Sequence, residues 1–237
     1  MMSSNAQGSA KQPIVAVKFF GTTLTGAAAA AVLLTFLAAI VAMIVYLWPR
    51  VSWSPLWLSA ALWVLFIVYW SAAAGNASPV KSSESPRSRQ LHQLLMYGAI
   101  VLAFLRLPGL NRRWLPAAPA VVVAGLALHA VSVLLAVWAR RHLGRNWSGA
   151  ITAKEQHQLV RTGPYRWLRH PIYTAMLGML AGTAVVSGEM HALIAMAILI
   201  IAYWRKIWLE ERQLLKIFGT EYETYRRESW AVIPGLL

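Results

Sequence analysis

The chain has 237 residues, of which 58% are hydrophobic and 13% charged, with a mean hydropathy of +0.53; its repeated apolar runs of about 20 residues exceed what a soluble core of this length uses and indicate an integral membrane protein. The formal net charge of +14 sits in short loops between apolar stretches and not on a repeated basic module, which argues against a nucleic-acid partner. All eight acids are Glu and Cys is absent, which removes an aspartate triad, a thiolate nucleophile, a disulfide framework and Cys-ligated zinc.

In chain order, residues 1–22 form a small, polar N-terminal segment. Thr23 to Trp48 follows Lys11 and Lys18 as a signal peptide would, yet its length suits a tilted spanning helix better than a signal h-region, so it is expected as the first span. Pro55 to Ala74 is expected as the second span and Leu91 to Leu107 as the third, with residues 75–90, rich in Ser and Pro, as a flexible loop between them. Ala117 to Ala139 follows as the fourth. Thr174 to Ser187 and Ala192 to Trp204 are each short for a crossing and are joined around Gly188, a natural turn residue. They read as a helical hairpin whose second helix continues to about Phe218.

The expected fold is therefore all-α: a polytopic membrane protein with about six transmembrane helices, four spans plus the C-terminal hairpin. Residues 23–115 hold the N-terminal helices and 116–237 a functional core containing a polar loop, 140–173, and the C-terminal helix. With six crossings, 18 of the 22 Lys and Arg fall on one side: two before the first span, three in 75–90, seven in 140–170 and six after 204. The positive-inside rule then makes both termini and the basic loops cytoplasmic, in the cell (inner) membrane.

Chemistry concentrates from Arg140 onward. "RRHLGRNWSGAITAKEQHQLVRTGPYRWLRHPIY" is a polar insert between apolar helices, rich in Arg and His and bearing Trp147, Tyr165, Trp167 and Tyr173. On composition alone a basic interfacial loop with an aromatic belt explains it equally well. Gly163-Pro164 signals a turn, and a short helix beyond it would set Tyr165 and Arg169 four residues apart on one face. Pro171 pushes His170 out of the helical region, so Arg169 and His170 are presented at a break just before the membrane. Glu210 and Glu211 fall where the last apolar helix leaves lipid, and a carboxylate there needs a partner or a cationic ligand. Arg169 is the expected partner; Arg205 and Lys206, at helical spacing, are the alternatives.

Taken together, "LGRNWSG", "HQLVRTGPYRWLRHPIYT", "EERQLLKIFGTEYETY" and the late "IPG" resemble, in order and spacing, the motifs of the membrane methyltransferases that include isoprenylcysteine carboxyl methyltransferase and the phospholipid methyltransferases. The resemblance covers roughly residues 130–235. It implies S-adenosyl-L-methionine as cofactor in a cytoplasmic pocket, with the backbone of Gln158, Leu159 and Val160 holding the adenine and Tyr165 beside it. By the same resemblance His170 and Tyr173 line the pocket, Glu210 and Glu211 contact the amino acid part or ribose, and Arg169, Asn146 and Glu211 stand nearest the chemistry, with Trp147 and Tyr222 toward the substrate. A sulfonium, an ammonium and a carboxylate need Glu, Arg or His and aromatic surface within reach, and this segment supplies all of them.

The implied acceptor is a lipophilic molecule entering from membrane lipids, with an isoprenylcysteine-type carboxylate and a phospholipid amine both open. "YRRESWAVIPG" departs from the prenylcysteine enzymes, which carry a basic stretch and a Val-Pro pair there. The first spans are candidates for a lipid entrance or a homodimer contact. Two other readings stand beside this one: an NADPH-dependent membrane reductase of sterol-reductase-like architecture, and a non-catalytic scaffold. No phosphate-cradling loop, dinucleotide fingerprint, nucleophile elbow or zincin motif occurs. His142, His157 and His170 match no compact ligand spacing, so no metal is expected. His129 and Arg106, inside or at the edge of apolar stretches, are left out of the site, the former as a neutral His bonding a neighbouring helix.

Overall fold

The computed structural model describes residues 16–19, 22–25, 54–74, 84–105, 107–144 and 159–235. The chain divides into two units, Met1–Ser52 and Trp53–Leu237. In the first, strands β1 (Ala16–Phe19) and β2 (Thr22–Thr25) pair antiparallel, with Ala16 opposite Thr25 and Phe19 opposite Thr22. This hairpin qualifies the all-helical expectation and reaches into the stretch expected to begin the first span, the rest of which lies outside the described residues.

The described elements of the second unit are all helical: α1 (Leu56–Ala74), α2 (Pro86–Leu102), α3 (Pro119–Leu143), a 3-10 turn at Gly163–Arg166, α4 (Pro171–Ser187), α5 (Met190–Phe218) and α6 (Thr220–Glu228). Proline opens α2, α3 and α4, where its missing N–H leaves no bond unmade. The hairpin expected around Gly188 forms: this residue closes α4 at φ 63°, a conformation that suits glycine, and its carbonyl accepts from the Trp114 amide at 2.8 Å.

Among the described residues, three helices are long and apolar enough to cross a membrane, Leu56–Ala73, Pro119–Leu143 and Met190–Phe218, and Pro171–Ser187 is a shorter apolar one. The expected third span differs: α2 has 17 residues, begins at Pro86 within the stretch read as a loop, and carries Arg87, Arg89 and His92. Its N-terminal turns are polar because they serve contacts inside the protein, described below.

Small residues let α3 and α4 approach closely. A methyl on Gly182 would lie 2.6 Å from the Gly125 carbonyl, and one on Gly125 2.8 Å from Val186, which is the packing logic of helices in lipid, where close backbone contact replaces the hydrophobic drive. The core draws on Trp63 and Phe66 of α1, Ala99 of α2, Ala136 of α3, Met179 and Leu180 of α4, and Leu199 and Tyr203 of α5. Large apolar side chains such as Leu65, Val68, Leu134 and Ile201 point outward, as lipid requires. Within the bundle, buried Ser59 and His129 bond at 2.8 Å (Oγ to Nδ1), and the Trp63 indole N–H donates to Thr183 Oγ1 at 3.0 Å. His129 thus bonds neighbouring helices, and the network fixes α1 against α3 and α4.

Candidate functional site

The segment before α4 is shaped by glycine, proline and a partner strand from the C-terminus. Gly163 has φ 59°, and a methyl there would fall 2.3 Å from the His142 ring at the end of α3, so backbone freedom and space both demand glycine. Pro164 then starts a 3-10 turn that buries Tyr165, and the helix expected to align Tyr165 with Arg169 stops at Arg166. Instead, Leu168 bridges Trp230 in parallel, and the amides of Arg169 and His170 donate to the carbonyls of Trp230 and Ala231 at 2.8 and 2.9 Å. The correction follows from the backbone: Pro171 keeps His170 (φ −126°, ψ 58°) out of the helical region, and the freed amides find the C-terminal segment.

Arg169 and His170 therefore project toward the polar end of α5. Arg169 Nε donates to Glu211 Oε1 at 2.8 Å, and its Nη1 donates to the carbonyls of Arg226 and Ser229. Glu211 also faces Arg226 Nε at 3.3 Å through its other oxygen. His170 lies between the two acids, Nδ1 3.6 Å from Glu210 Oε2 and Nε2 3.5 Å from Glu211 Oε1, long for hydrogen bonds. Tyr173 donates its hydroxyl to Glu210 Oε1 at 2.7 Å. The rings of His170 and Tyr173 stack at 5.4 Å, and Tyr173 stacks on Tyr203 at 4.6 Å. Beside them, Tyr222 is 1% exposed with its hydroxyl unpartnered, and an open depression of about 350 Å³ is lined by Arg169, Glu223, Arg226 and Arg227.

Three tyrosines outside the spans stay neutral at physiological pH. Burial, and then the Glu211 charge, push the Tyr222 phenol well above its usual value; burial and the neighbouring Tyr225 do the same for Tyr165. Burial raises Tyr225 to about 12 against the pull of Arg169 and Arg161. Each remains a hydroxyl donor, and Tyr225 uses its own to bond the Tyr165 carbonyl at 2.6 Å, clamping the 3-10 turn to α6.

Arg169, His170, Tyr173, Glu210 and Glu211 are thus brought into one partly buried cluster, with Tyr165 and Tyr222 packed near it. Leu159 and Val160 are half-buried on the approach to the turn. Asn146, Trp147 and Gln158 lie outside the described residues. Among the described residues no group of three metal-binding side chains forms.

The phospholipid methyltransferase family model matches residues 120–221, from the start of α3 into α6. Isoprenylcysteine O-methyltransferase B of Arabidopsis thaliana is 26% identical over 175 residues, 73% of this chain and 85% of that one. A probable protein-S-isoprenylcysteine O-methyltransferase of Oryza sativa subsp. indica is 28% identical over 186 residues, 75% of this chain and 95% of that one. The chain is similar to the isoprenylcysteine carboxyl and phospholipid methyltransferases, the matched family segment covering less than half of its length. It is a methyltransferase and an integral membrane protein. The solved structure of the eukaryotic intramembrane Ras methyltransferase, an isoprenylcysteine carboxyl methyltransferase, matches with a TM-score of 0.39 and 20% identity, covering 78% of this chain and 55% of that one. No reductase name occurs among these relatives, which leaves that alternative unsupported.

For this methyltransferase, sequence reasoning missed several members of the cluster. Arg226 and the Ser229 carbonyl close around Arg169, Tyr203 extends the aromatic stack, and Tyr225 holds the turn. Lys206, weighed only as an alternative partner for the two acids, reaches Glu210 Oε1 at 3.9 Å and binds Glu84 at 2.7 Å. For Lys206 the i, i+4 spacing to Glu210 was a legible signal. For Glu84, inside a Ser- and Pro-rich stretch, the usable sign was Ser85-Pro86, a helix cap followed by proline.

Proposed function

We propose that this protein transfers a methyl group from S-adenosyl-L-methionine to a lipophilic acceptor at the membrane surface, the acceptor being a carboxylate of the isoprenylcysteine type. The observation that carries it is the meeting of Glu210 and Glu211 with Arg169, His170 and Tyr173 in one partly buried cluster where α5 turns polar. The donor set suits the cofactor: two carboxylates for an ammonium and a ribose, a guanidinium for a carboxylate, stacked aromatic surface, and a buried Tyr222 hydroxyl whose bonding capacity is unused. When bound, S-adenosylmethionine supplies a methyl on a cationic sulfur for in-line displacement.

In this reading Glu210, Glu211 and Arg169 bind and orient the donor, and Leu159, Val160 and Tyr165 border its base. Asn146 and Trp147 lie toward the acceptor in the family pattern, with Tyr222 toward the substrate. A carboxylate acceptor is already a nucleophile, so the work left to the protein is alignment and exclusion of water, with no covalent protein intermediate. The relatives' names favour this acceptor; a phospholipid amine would also have to lose a proton. In this reading the site and both termini are cytoplasmic, which the charge asymmetry of the sequence supports, the membrane is the cell membrane, and the acceptor enters from the bilayer.

The test incubates purified protein and labelled S-adenosylmethionine with an isoprenylated cysteine and, separately, with phosphatidylethanolamine. A base-labile methyl ester on the first supports the proposal. A base-stable methylamine formed from the second, or no product on either, overturns the acceptor assignment. Calorimetric titration with S-adenosylhomocysteine tests the donor independently: binding by the unaltered chain that vanishes in Glu211→Ala is expected.

A further inference from the structure

The buried polar chain does not stop at Glu210. One turn earlier on α5, Lys206 places Nζ 2.7 Å from Glu84 Oε2 and 3.9 Å from Glu210 Oε1, with side-chain exposures of 4% for Lys206 and 2% for Glu84. Glu84 stands immediately before α2, whose start is fixed by the Ser85 cap; its second oxygen accepts from Ser88 Oγ at 2.7 Å, and Ser88 in turn accepts from Arg205 at 2.8 Å. Glu84 is therefore built into the bundle from two sides.

A buried ammonium must have a counter-charge, and two carboxylates are within reach of this one. The nearer takes it: Lys206 makes its hydrogen bond to Glu84 and only a longer approach to Glu210. Glu210 is left bonded to a neutral phenol, Tyr173, and facing His170 at 3.6 Å. Its basic neighbours, Lys206 at 3.9 Å and His170 at 3.6 Å, thus stand beyond hydrogen-bond distance. Were Glu84 neutral, Lys206 would have one carboxylate left to satisfy it, and closing the gap to Glu210 needs only a small rotation of a flexible side chain.

We propose that Glu84 is a positioning residue of the methyl-donor site: it holds the Lys206 ammonium away from Glu210 and so keeps the Glu210 carboxylate available to the cationic end of the donor. The inference rests on the assignment of Glu210 as a donor-binding residue. It couples the start of α2, outside the matched family segment of residues 120–221, to a site otherwise built by the segment before α4 and by α4, α5 and α6.

The experiment uses the full chain in nanodiscs, titrated calorimetrically with S-adenosylhomocysteine and assayed for KM and kcat with S-adenosylmethionine. Glu84→Gln is expected to weaken S-adenosylhomocysteine binding and raise KM for the donor about tenfold, with kcat at saturation within about twofold. Glu84→Gln with Lys206→Met removes the stranded ammonium and is expected to bring affinity back toward that of the unaltered chain; Glu84→Asp, which keeps the charge, should fall between. A merely structural role predicts the opposite for the double variant, which would be at least as impaired as Glu84→Gln, and that result overturns the inference. Equal affinity in Glu84→Gln and the unaltered chain overturns it as well. No binding by the unaltered chain overturns the donor assignment and the inference together.

Discussion

Arg169→Met is the most informative single perturbation of the cluster. The guanidinium is 8% exposed on its side chain and makes three bonds: Nε to Glu211 Oε1 at 2.8 Å, and Nη1 to the carbonyls of Ser229 and Arg226. Removing one partner of a buried ion pair costs about 3–5 kcal/mol because the other charge is stranded. Glu211 is only 13% exposed but keeps Arg226 at 3.3 Å and His170 at 3.5 Å, so the lower end applies. The Ser229 carbonyl loses its donor at a further cost of about 1 kcal/mol, while the exposed Arg226 carbonyl can turn to water. The expected destabilisation is about 4 kcal/mol. It is measured by reversible unfolding in mixed micelles, alone and in a cycle with Glu211→Gln. Because the two side chains touch, the cycle should return a coupling of about 2 kcal/mol, and additivity within about 0.5 kcal/mol would refute the claim that this pair organises the site. The tail from Ser229 to Val232 should also become more protease-sensitive in Arg169→Met, since only the Thr174 hydroxyl, bonded to the Val232 carbonyl, is left as a side-chain anchor from the α4 side.

Gly163→Ala should destabilise the segment before α4 by more than about 1 kcal/mol, because φ 59° and the His142 ring both oppose a methyl; proteolysis in the 159–170 segment reads it. Tyr225→Phe should cost about 1–2 kcal/mol by leaving the Tyr165 carbonyl buried without its donor, with thermal unfolding as the measurement. Tyr173→Phe should weaken S-adenosylhomocysteine binding while leaving the bundle folded, since it removes one hydroxyl from Glu210 and keeps the ring stack; an unchanged titration would contradict the placement of Glu210. Burial acts to raise the Glu84 carboxyl, but the bonds from Lys206 and Ser88 outweigh it and hold it below its ordinary value of 4.5. A depressed folded value means the pair's stabilisation is present above pH 4.5 and is lost as pH falls through the lower folded value; Glu84→Gln should remove that part of the acid sensitivity.

The sequence by itself determined the class, the hairpin of α4 and α5, and five residues that meet in the site. Apolar length is a property of composition, and Gly188 and Pro171 act on their own backbone, so neither needs a distant partner to be read. Glu210 and Glu211 were legible for a similar reason: acids at the lipid exit of a helix demand an explanation wherever they are found. Only tertiary structure decided that the stretch after Gly163 leaves the helix, because the amides of Arg169 and His170 find their acceptors 61 residues downstream, at Trp230 and Ala231. The same holds for Glu84. A carboxylate in a Ser- and Pro-rich stretch reads as solvated, and its value changes once α2 and α5 pack side by side and a buried ammonium must choose between two acids. Local sequence sets where a backbone may turn and which faces avoid water, whereas the partner of a charge depends on distances that exist only after the helices have packed.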